Sequence, residues 1–120
     1  MSENNRRIQR VASQIKTELS WLIERELKDP SKGFLTITRV KISPDLKIAS
    51  IYYSVLGDEN ERKSSEDALT RAKSFLKREL GNKLSMRFTP DLRFFYDHSL
   101  EYAGKIESLI NKIHDNENNR

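Results

Sequence analysis

The stretch that decides the fold is FLTITRVKISPDLKIASIYYSVL, residues 34–56. Two β-branched runs within it, residues 36–42 and residues 48–55, alternate apolar and polar side chains with a period of two, which is typical of half-buried strands. The sequence Ser-Pro-Asp at residues 43–45 lies between the runs and favours a turn, because proline suits its first central position. The stretch therefore predicts an antiparallel hairpin.

The apolar phase changes within the first of these runs. Leu35 and Ile37 are out of phase with Val40 and Ile42. A shift by one residue would turn the apolar side chains of a strand to the opposite face unless an extra residue is inserted. The pattern predicts a bulge or a face switch near residues 38–39.

A helical pattern precedes the hairpin. Apolar residues recur at intervals of three and four over residues 6–28, without Gly or Pro, which predicts one amphipathic helix. Asp29 and Pro30 end it, because the residue before a proline is pushed out of the α region.

A second helical pattern follows the hairpin, after a polar loop at residues 57–63. Ser64 and Ser65 are typical N-cap residues. Apolar side chains continue at helical spacing over residues 68–80, and Gly-Asn at residues 81–82 is a plausible stop. The sequence thus predicts a helix that begins near Ser64 and ends near residue 81.

The rest of the chain adds one strand and one helix to the prediction. Residues 92–96 alternate as a third strand, with Phe95 facing outward. Ser99 is a candidate cap for a last helix over residues 100–113, and the Asn-rich end at residues 114–120 is typical of disorder. The order helix, strand, strand, helix, strand, helix predicts an α+β domain.

Length and composition limit the possible functions. The chain has 120 residues, of which 36% are hydrophobic, and this suits one domain with a modest core. With no cysteine it has no disulfide and no thiol nucleophile. Its apolar runs are too short to span a bilayer, so we expect a cytoplasmic protein without a membrane partner. The net charge of +4 is a mild bias toward polyanions.

The sequence offers no catalytic constellation. The two histidines, His98 and His114, are sixteen positions apart and lack a ligand partner at helical spacing. Asp97 beside His98 could form a base dyad, although a histidine in a turn at the end of a strand is the more ordinary interpretation. We expect a binding protein with no catalytic residue, no metal and no cofactor.

The second helix carries a basic face. Opposite its apolar arc, a helical wheel places four cations and one hydroxyl, and no acid occurs over residues 70–78. A solvated helix face and a phosphate-binding face are both compatible with this pattern. The residues of this face are Arg71, Lys73, Ser74, Lys77 and Arg78.

Four stretches together resemble one protein family, bacterial ribosome-binding factor A. They are Arg-Ile-Gln-Arg-Val-Ala at residues 7–12, Glu-Leu-Lys-Asp-Pro at residues 26–30, Ser-Pro-Asp-Leu at residues 43–46 and Pro-Asp-Leu-Arg-Phe-Phe-Tyr-Asp-His-Ser at residues 90–99. The order and spacing agree over about residues 6–113, and the last stretch is the most specific.

The resemblance implies a KH-like fold of type II, with a three-stranded sheet backed by helices and a kinked second helix. It implies a single RNA-binding domain over residues 1–113. In the family an Ala-x-Gly kink replaces the Gly-x-x-Gly loop of usual KH domains. The matching positions here are Ala72, Lys73 and Ser74, so serine stands where the family has glycine.

The resemblance also implies a function. Family members are non-enzymatic ribosome biogenesis factors that bind the free 30S subunit and assist late maturation and 5′-end processing of precursor 16S rRNA, especially in the cold. We expect this chain to act likewise, as a monomer that contacts 16S rRNA near its 5′ end. The predicted RNA-binding residues are Arg6, Arg7, Arg10, Arg71, Lys73, Ser74, Lys77, Arg78, Lys83 and Arg87.

Two other functions are compatible with the sequence. A generic KH-type single-stranded RNA-binding module would stack bases, and short RNA oligomers would then bind it about as well as the subunit does. A protein-interaction adaptor would dock through an edge strand or the last helix, and its ribosome association would be insensitive to salt.

Overall fold

A computed structural model describes residues 3–27 and 32–99 of the chain. In this part the elements follow the order α1 (Glu3–Glu26), β1 (Phe34–Ile42), β2 (Ile48–Leu56), α2 (Glu59–Lys83) and β3 (Asp91–Tyr96). The predicted helices and strands are confirmed for these five elements. The predicted last helix over residues 100–113 and the polar tail at residues 114–120 lie outside the described residues.

The three strands form one mixed sheet in the order β1-β2-β3. β1 and β2 pair antiparallel, which confirms the predicted hairpin. β3 pairs parallel to β2, and α2 makes the crossover that a parallel pair requires. The expected α+β class, a three-stranded sheet backed by helices, is confirmed.

The predicted bulge lies in β1. The register shifts between Ile37 and Arg39, so Thr38 is the inserted residue. Ile37 before the shift and Ile42 after it are both buried. The bulge therefore keeps both halves of β1 in phase with the core. The Thr38 hydroxyl lies 3.3 Å from the carbonyl oxygen of Tyr52 on β2.

The core lies between the two helices and one face of the sheet. Each element contributes side chains to it at the period of its own backbone, three or four residues in a helix and two in a strand. The most deeply buried large side chains include Ile15, Leu19, Ile51, Leu69, Leu76, Leu80 and Leu92. The other face of the sheet is left without a helix in the described part of the chain.

The predicted start of the second helix is wrong. The N-cap is Asp58, and its carboxylate accepts the backbone N–H of Glu61 at 2.8 Å. The Glu61 carboxylate accepts the backbone N–H of Asp58 at 3.2 Å, which completes a capping box. Ser65, one of the two predicted caps, is buried inside the helix, where its hydroxyl donates to the Glu61 carbonyl.

α2 continues as one helix through residues 72–74, where the resemblance implies a kink. The helix is therefore not divided at these residues. The helix ends at Lys83, two residues beyond the predicted stop, and the backbone N–H of Leu84 donates to the carbonyl of Leu80. A methyl group on Gly81 would collide with the Thr89 hydroxyl, so glycine here permits a close approach of the next segment.

The capping box makes a testable prediction about stability. We expect Asp58→Ala to lower the free energy of unfolding by about 1 kcal/mol, because the N–H of Glu61 loses its partner. Ser64→Ala removes a hydroxyl from the predicted cap position and should change the free energy by less than about 0.5 kcal/mol. Urea unfolding followed by circular dichroism measures both. An equal loss in the two variants would contradict the assignment of Asp58.

Candidate nucleic-acid interface

A groove of about 400 Å³ gathers basic side chains from four separate segments of the chain. The segments are α1, the turn between β1 and β2, α2, and the connection between α2 and β3. Their cations are Arg7, Lys47, Lys77 and Arg87. Residues that are far apart in the sequence therefore form one surface, which we call the basic groove.

The basic groove also contains apolar side chains. Leu46 and Met86 line it and pack against the core from its edge. Phe88 is 75% exposed, and the guanidinium carbon of Arg87 lies 5.5 Å from the centre of its ring. An exposed ring beside a guanidinium can contact a base as well as a phosphate.

Hydrogen bonds in the hairpin turn position Lys47 in the groove. The Ser43 hydroxyl donates to the Asp45 carboxylate at 2.7 Å, and the backbone N–H of Lys47 donates to the same oxygen at 3.1 Å. These two bonds hold the pKa of Asp45 below its usual value. Leu46 takes a left-handed backbone conformation, with φ of 62°. The Lys47 carbonyl accepts the N–H of Asp91 at 2.8 Å, which joins the turn to β3.

Two carboxylates, Asp45 and Asp91, lie in the groove beside the four cations. Asp91 has its two oxygens 3.9 Å from Lys77 Nζ and 3.8 Å from Arg93 Nε. These side chains are about half exposed, so water screens the pairs and each contributes little to stability. The groove retains an excess of positive charge, which suits a polyanionic ligand.

The structure brings three of the predicted binding residues, Arg7, Lys77 and Arg87, together in the basic groove. The others lie outside its lining. All of them are exposed except Lys73, which is half-buried. They are Arg6 and Arg10 on α1, and Arg71, Lys73, Ser74, Arg78 and Lys83 on α2.

The basic face of α2 is less uniform than its sequence indicates. No acid occurs over residues 70–78, but β3 brings Asp91 to Lys77. Arg78 lies 4.0 Å from the carboxylate of Glu79 and 5.6 Å from the ring of Phe75. Lys47 was missed as a site residue, because only the tertiary fold brings the hairpin turn to α2.

Asp97, considered in the sequence as half of a base dyad, is engaged at the end of the sheet. Its carboxylate accepts the Thr38 hydroxyl at 2.5 Å and the backbone N–H of Ser99 at 2.9 Å. Hydrogen bonds from Ser99 and Thr38 lower the pKa of Asp97 to about 2. The imidazole of His98 packs against the ring of Tyr96, with their centres 4.8 Å apart. A carboxylate that is this acidic is a poor general base near neutral pH.

Within residues 3–27 and 32–99, no group of three or more histidine and carboxylate side chains is placed to hold a metal ion. No helix in these ranges combines the length and the apolar character needed to cross a membrane.

The hydrogen bond from Thr38 to Asp97 predicts that the stability of the fold depends on pH. Because the folded pKa of Asp97 lies below its ordinary value of 3.8, ionised Asp97 stabilises the fold above about pH 4, and this contribution is lost as the pH falls toward 2. Thr38→Val removes one donor, so we expect the pKa of Asp97 to rise in a carbon-detected NMR titration. The pKa of Asp45 serves as the internal control and should not move. A wild-type value near 3.8 for Asp97 would contradict this geometry.

A family model, Ribosome-binding factor A, matches residues 7–110 of the chain. Ribosome-binding factor A of Brevibacillus brevis is 46% identical over 110 residues, which cover 92% of this chain and 91% of that protein. The Macrococcus caseolyticus protein of the same name is 44% identical over 107 residues, which cover 89% of this chain and 94% of the relative.

Solved structures agree with the sequence relatives. The crystal structure of ribosome-binding factor A from Thermus thermophilus superposes with a TM-score of 0.65 at 29% identity, covering 74% of this chain and 94% of that one. A homology model of the Thermus thermophilus factor, fitted into an electron cryo-microscopy map of a 30S complex, gives a TM-score of 0.63 at 30% identity over 72% of this chain and 91% of that one.

Proposed function

The chain belongs to the ribosome-binding factor A family, and on that premise we propose that it is a non-enzymatic ribosome biogenesis factor that binds the free 30S subunit through rRNA. The observation that carries the proposal is the basic groove, where cations from four segments converge. The Thermus thermophilus relative has been fitted into a map of a complex with the 30S subunit.

The chemistry of the groove suits an RNA backbone. Lysine and arginine bind phosphate oxygens and release condensed counterions, which supplies affinity without reading the base sequence. Arg7 and Arg87 can bind phosphate in a bidentate manner, whereas Lys47 and Lys77 act as point charges. Because these four groups come from a rigid scaffold, their spacing selects an RNA shape.

The exposed part of α2 extends the proposed contact surface. Arg71, Ser74 and Arg78 follow one another at intervals of three and four, so they form a line along the solvent side of the helix. We propose that this line holds a second segment of the rRNA backbone and that Arg6 and Arg10 of α1 also bind rRNA. The carboxylate of Glu79 lies beside Arg78, so a phosphate there must compete with an exposed ion pair.

We further propose that the bound rRNA lies near the 5′ end of 16S rRNA and that binding assists its late maturation and 5′-end processing. A binder of one RNA conformer shifts the population toward that conformer. Misfolded RNA helices exchange slowly in the cold, so this help matters most at low temperature. The unit that acts is one cytoplasmic monomer with a single KH-like domain over residues 1–113.

The maturation proposal is tested in cells that lack the protein. We expect growth in the cold to produce an excess of free 30S subunits in a sucrose gradient, together with 16S rRNA that carries an unprocessed 5′ end in a primer-extension assay. Normal 5′ ends in the cold would overturn this part of the proposal and leave 30S binding as a separate question.

The groove makes a prediction about salt. Replacing Arg7, Lys47 and Arg87 by alanine should weaken co-sedimentation with free 30S subunits roughly ten- to 100-fold at about 0.1 M salt. Each lost phosphate contact should also lower the slope of log affinity against log salt by nearly one. All three side chains are exposed, so the thermal midpoint should stay close to that of the wild type.

A variant with the same change in net charge serves as the control. Lys16, Arg25 and Lys63 are exposed and lie outside the basic groove. Their replacement by alanine should leave co-sedimentation within about twofold of the wild type. An equal loss in both variants would mean that overall charge, rather than the groove, determines binding. A third variant, Lys73→Ala with Lys77→Ala and Arg78→Ala, removes cations of the α2 face, one of which, Lys77, also lines the basic groove, and it should weaken co-sedimentation as well.

A further inference from the structure

The face of the sheet that points away from α1 and α2, the open face, carries a row of stacked side chains. We propose that an unpaired RNA base extends this row by stacking on Phe95, with its phosphates held by neighbouring cations. The inference goes beyond the basic groove and rests on the proposed function only in taking RNA as the partner. The part of the open face around the row consists of Thr36, Arg39, Lys41, Ser50, Tyr52, Ser54, Arg93 and Phe95.

Strand alternation places these residues on the open face. Along β2 the burial pattern alternates, with every second residue from Ala49 to Val55 buried beneath the helices. Tyr52 therefore points the other way. On β3, Leu92 is completely buried, and Arg93 and Phe95 are exposed. Phe95 was predicted to face outward, and the structure confirms it.

The row crosses all three strands. Arg39 and Tyr52 are register partners, and the guanidinium carbon of Arg39 lies 4.3 Å from the centre of the Tyr52 ring. Tyr52 and Phe95 are register partners on the other side, with ring centres 5.5 Å apart and planes inclined by 30°. Within the described part of the chain, β3 is an edge strand and Phe95 ends the row, with 43% of its surface exposed.

The surroundings of the row favour a nucleotide. Ser50 and Ser54 flank Tyr52 along β2 and have short side chains, so the rings stand above a low polar surface. Arg39, Lys41 and Arg93 provide cations within this small area. Base stacking on aromatic rings tolerates any base, and nearby cations bind the backbone.

An apolar protein partner fits the open face less well. Around the row its side chains are mainly hydroxyls and cations, and its other large exposed apolar side chains among the described residues, Phe34 and Leu56, are register partners at the far end of the sheet. Protein-binding sites usually have an apolar centre with few charges. The acids nearby are Asp91, paired with Arg93, and Asp97, which accepts the Thr38 hydroxyl. The excess of charge is thus positive and matches phosphate.

The open face adjoins the basic groove at β3. Asp91 contacts Lys77 of the groove through one oxygen and Arg93 of the open face through the other. An RNA chain that leaves the groove beside Lys77 can therefore pass Arg93 and reach Phe95, which lies two residues farther along β3. Two residues of a strand span only about 6.6 Å.

The test uses the full chain and a fluorescein-labelled, unstructured RNA of 12 nucleotides in an anisotropy titration. Stacking contributes about 1–3 kcal/mol per base, so Phe95→Ala should weaken binding roughly 5- to 150-fold. Phe95→Trp should bind within about twofold of the wild type, because a ring is kept. Phe95→Leu retains apolar area without a ring and should behave like Phe95→Ala.

Matched controls isolate the stacking interaction. Phe34 is also exposed but lies at the far edge of the sheet, outside the row, so Phe34→Ala should leave the affinity unchanged. A 12-base-pair RNA duplex offers no unpaired base, and its binding should not respond to Phe95→Ala. Circular dichroism confirms that each variant is folded before titration.

The possible outcomes separate this inference from the proposed function. If Phe95→Ala leaves the oligomer affinity unchanged while the groove variant still loses 30S binding, the open-face inference is overturned and the proposed function stands. If the wild-type protein fails to bind 30S subunits but shows oligomer binding that depends on Phe95, the proposed function is overturned and the open-face inference stands. If Phe95→Ala weakens 30S binding but leaves oligomer binding unchanged, the open face contacts the subunit without stacking an unpaired base, and the inference is wrong.

Discussion

The alternation of side chains along β2 is the constraint on which the rest of the structure depends. β2 is the central strand, antiparallel to β1 and parallel to β3, so it fixes the register of the whole sheet. Its inward positions, such as Ile51, are buried under the helices, and its outward positions, such as Tyr52, form the open face. A slip by one residue would exchange the two faces, placing tyrosine and serine in the core and apolar residues in solvent. The core and the candidate RNA surfaces therefore depend on one register.

The bulge at Thr38 allows β1 to satisfy this register. In a regular strand Ile37 and Ile42 would face opposite sides of the sheet, because they are five positions apart, whereas the bulge takes up one position and leaves both on the core side. The insertion also gives the Thr38 hydroxyl a position from which it reaches Asp97 beyond the end of β3. One local irregularity thus keeps the core continuous and joins the two outer strands across β2. The bulge thus has a structural role of its own, and the change in apolar phase that marks it is visible in the sequence alone.

Local patterns predicted the elements well, and tertiary contacts account for what they missed. The period of the apolar residues was sufficient for α1, the hairpin and β3, since burial on one face enforces that period. The start of α2 was placed too late because serine is a common cap, whereas Asp58 with Glu61 satisfies two backbone N–H groups at once. The groove could not be predicted as a unit: Arg7, Lys47 and Arg87 are separated by at least forty residues, and only packing brings them together. The acid beside Lys77 was missed for the same reason, because Asp91 comes from β3.

The position of Asp91 determines how charge is divided between the two candidate RNA surfaces. By pairing with both Lys77 and Arg93, this carboxylate lowers the positive potential where the basic groove and the open face meet. An RNA strand that crosses there gains less from phosphate contacts than it does deeper in the groove. Its hold on the open face must then depend more on stacking, which salt weakens less than it weakens ion pairs. The modest net charge of +4 is thus compatible with tight binding, since the cations are concentrated in the groove and an aromatic row continues the surface beyond them.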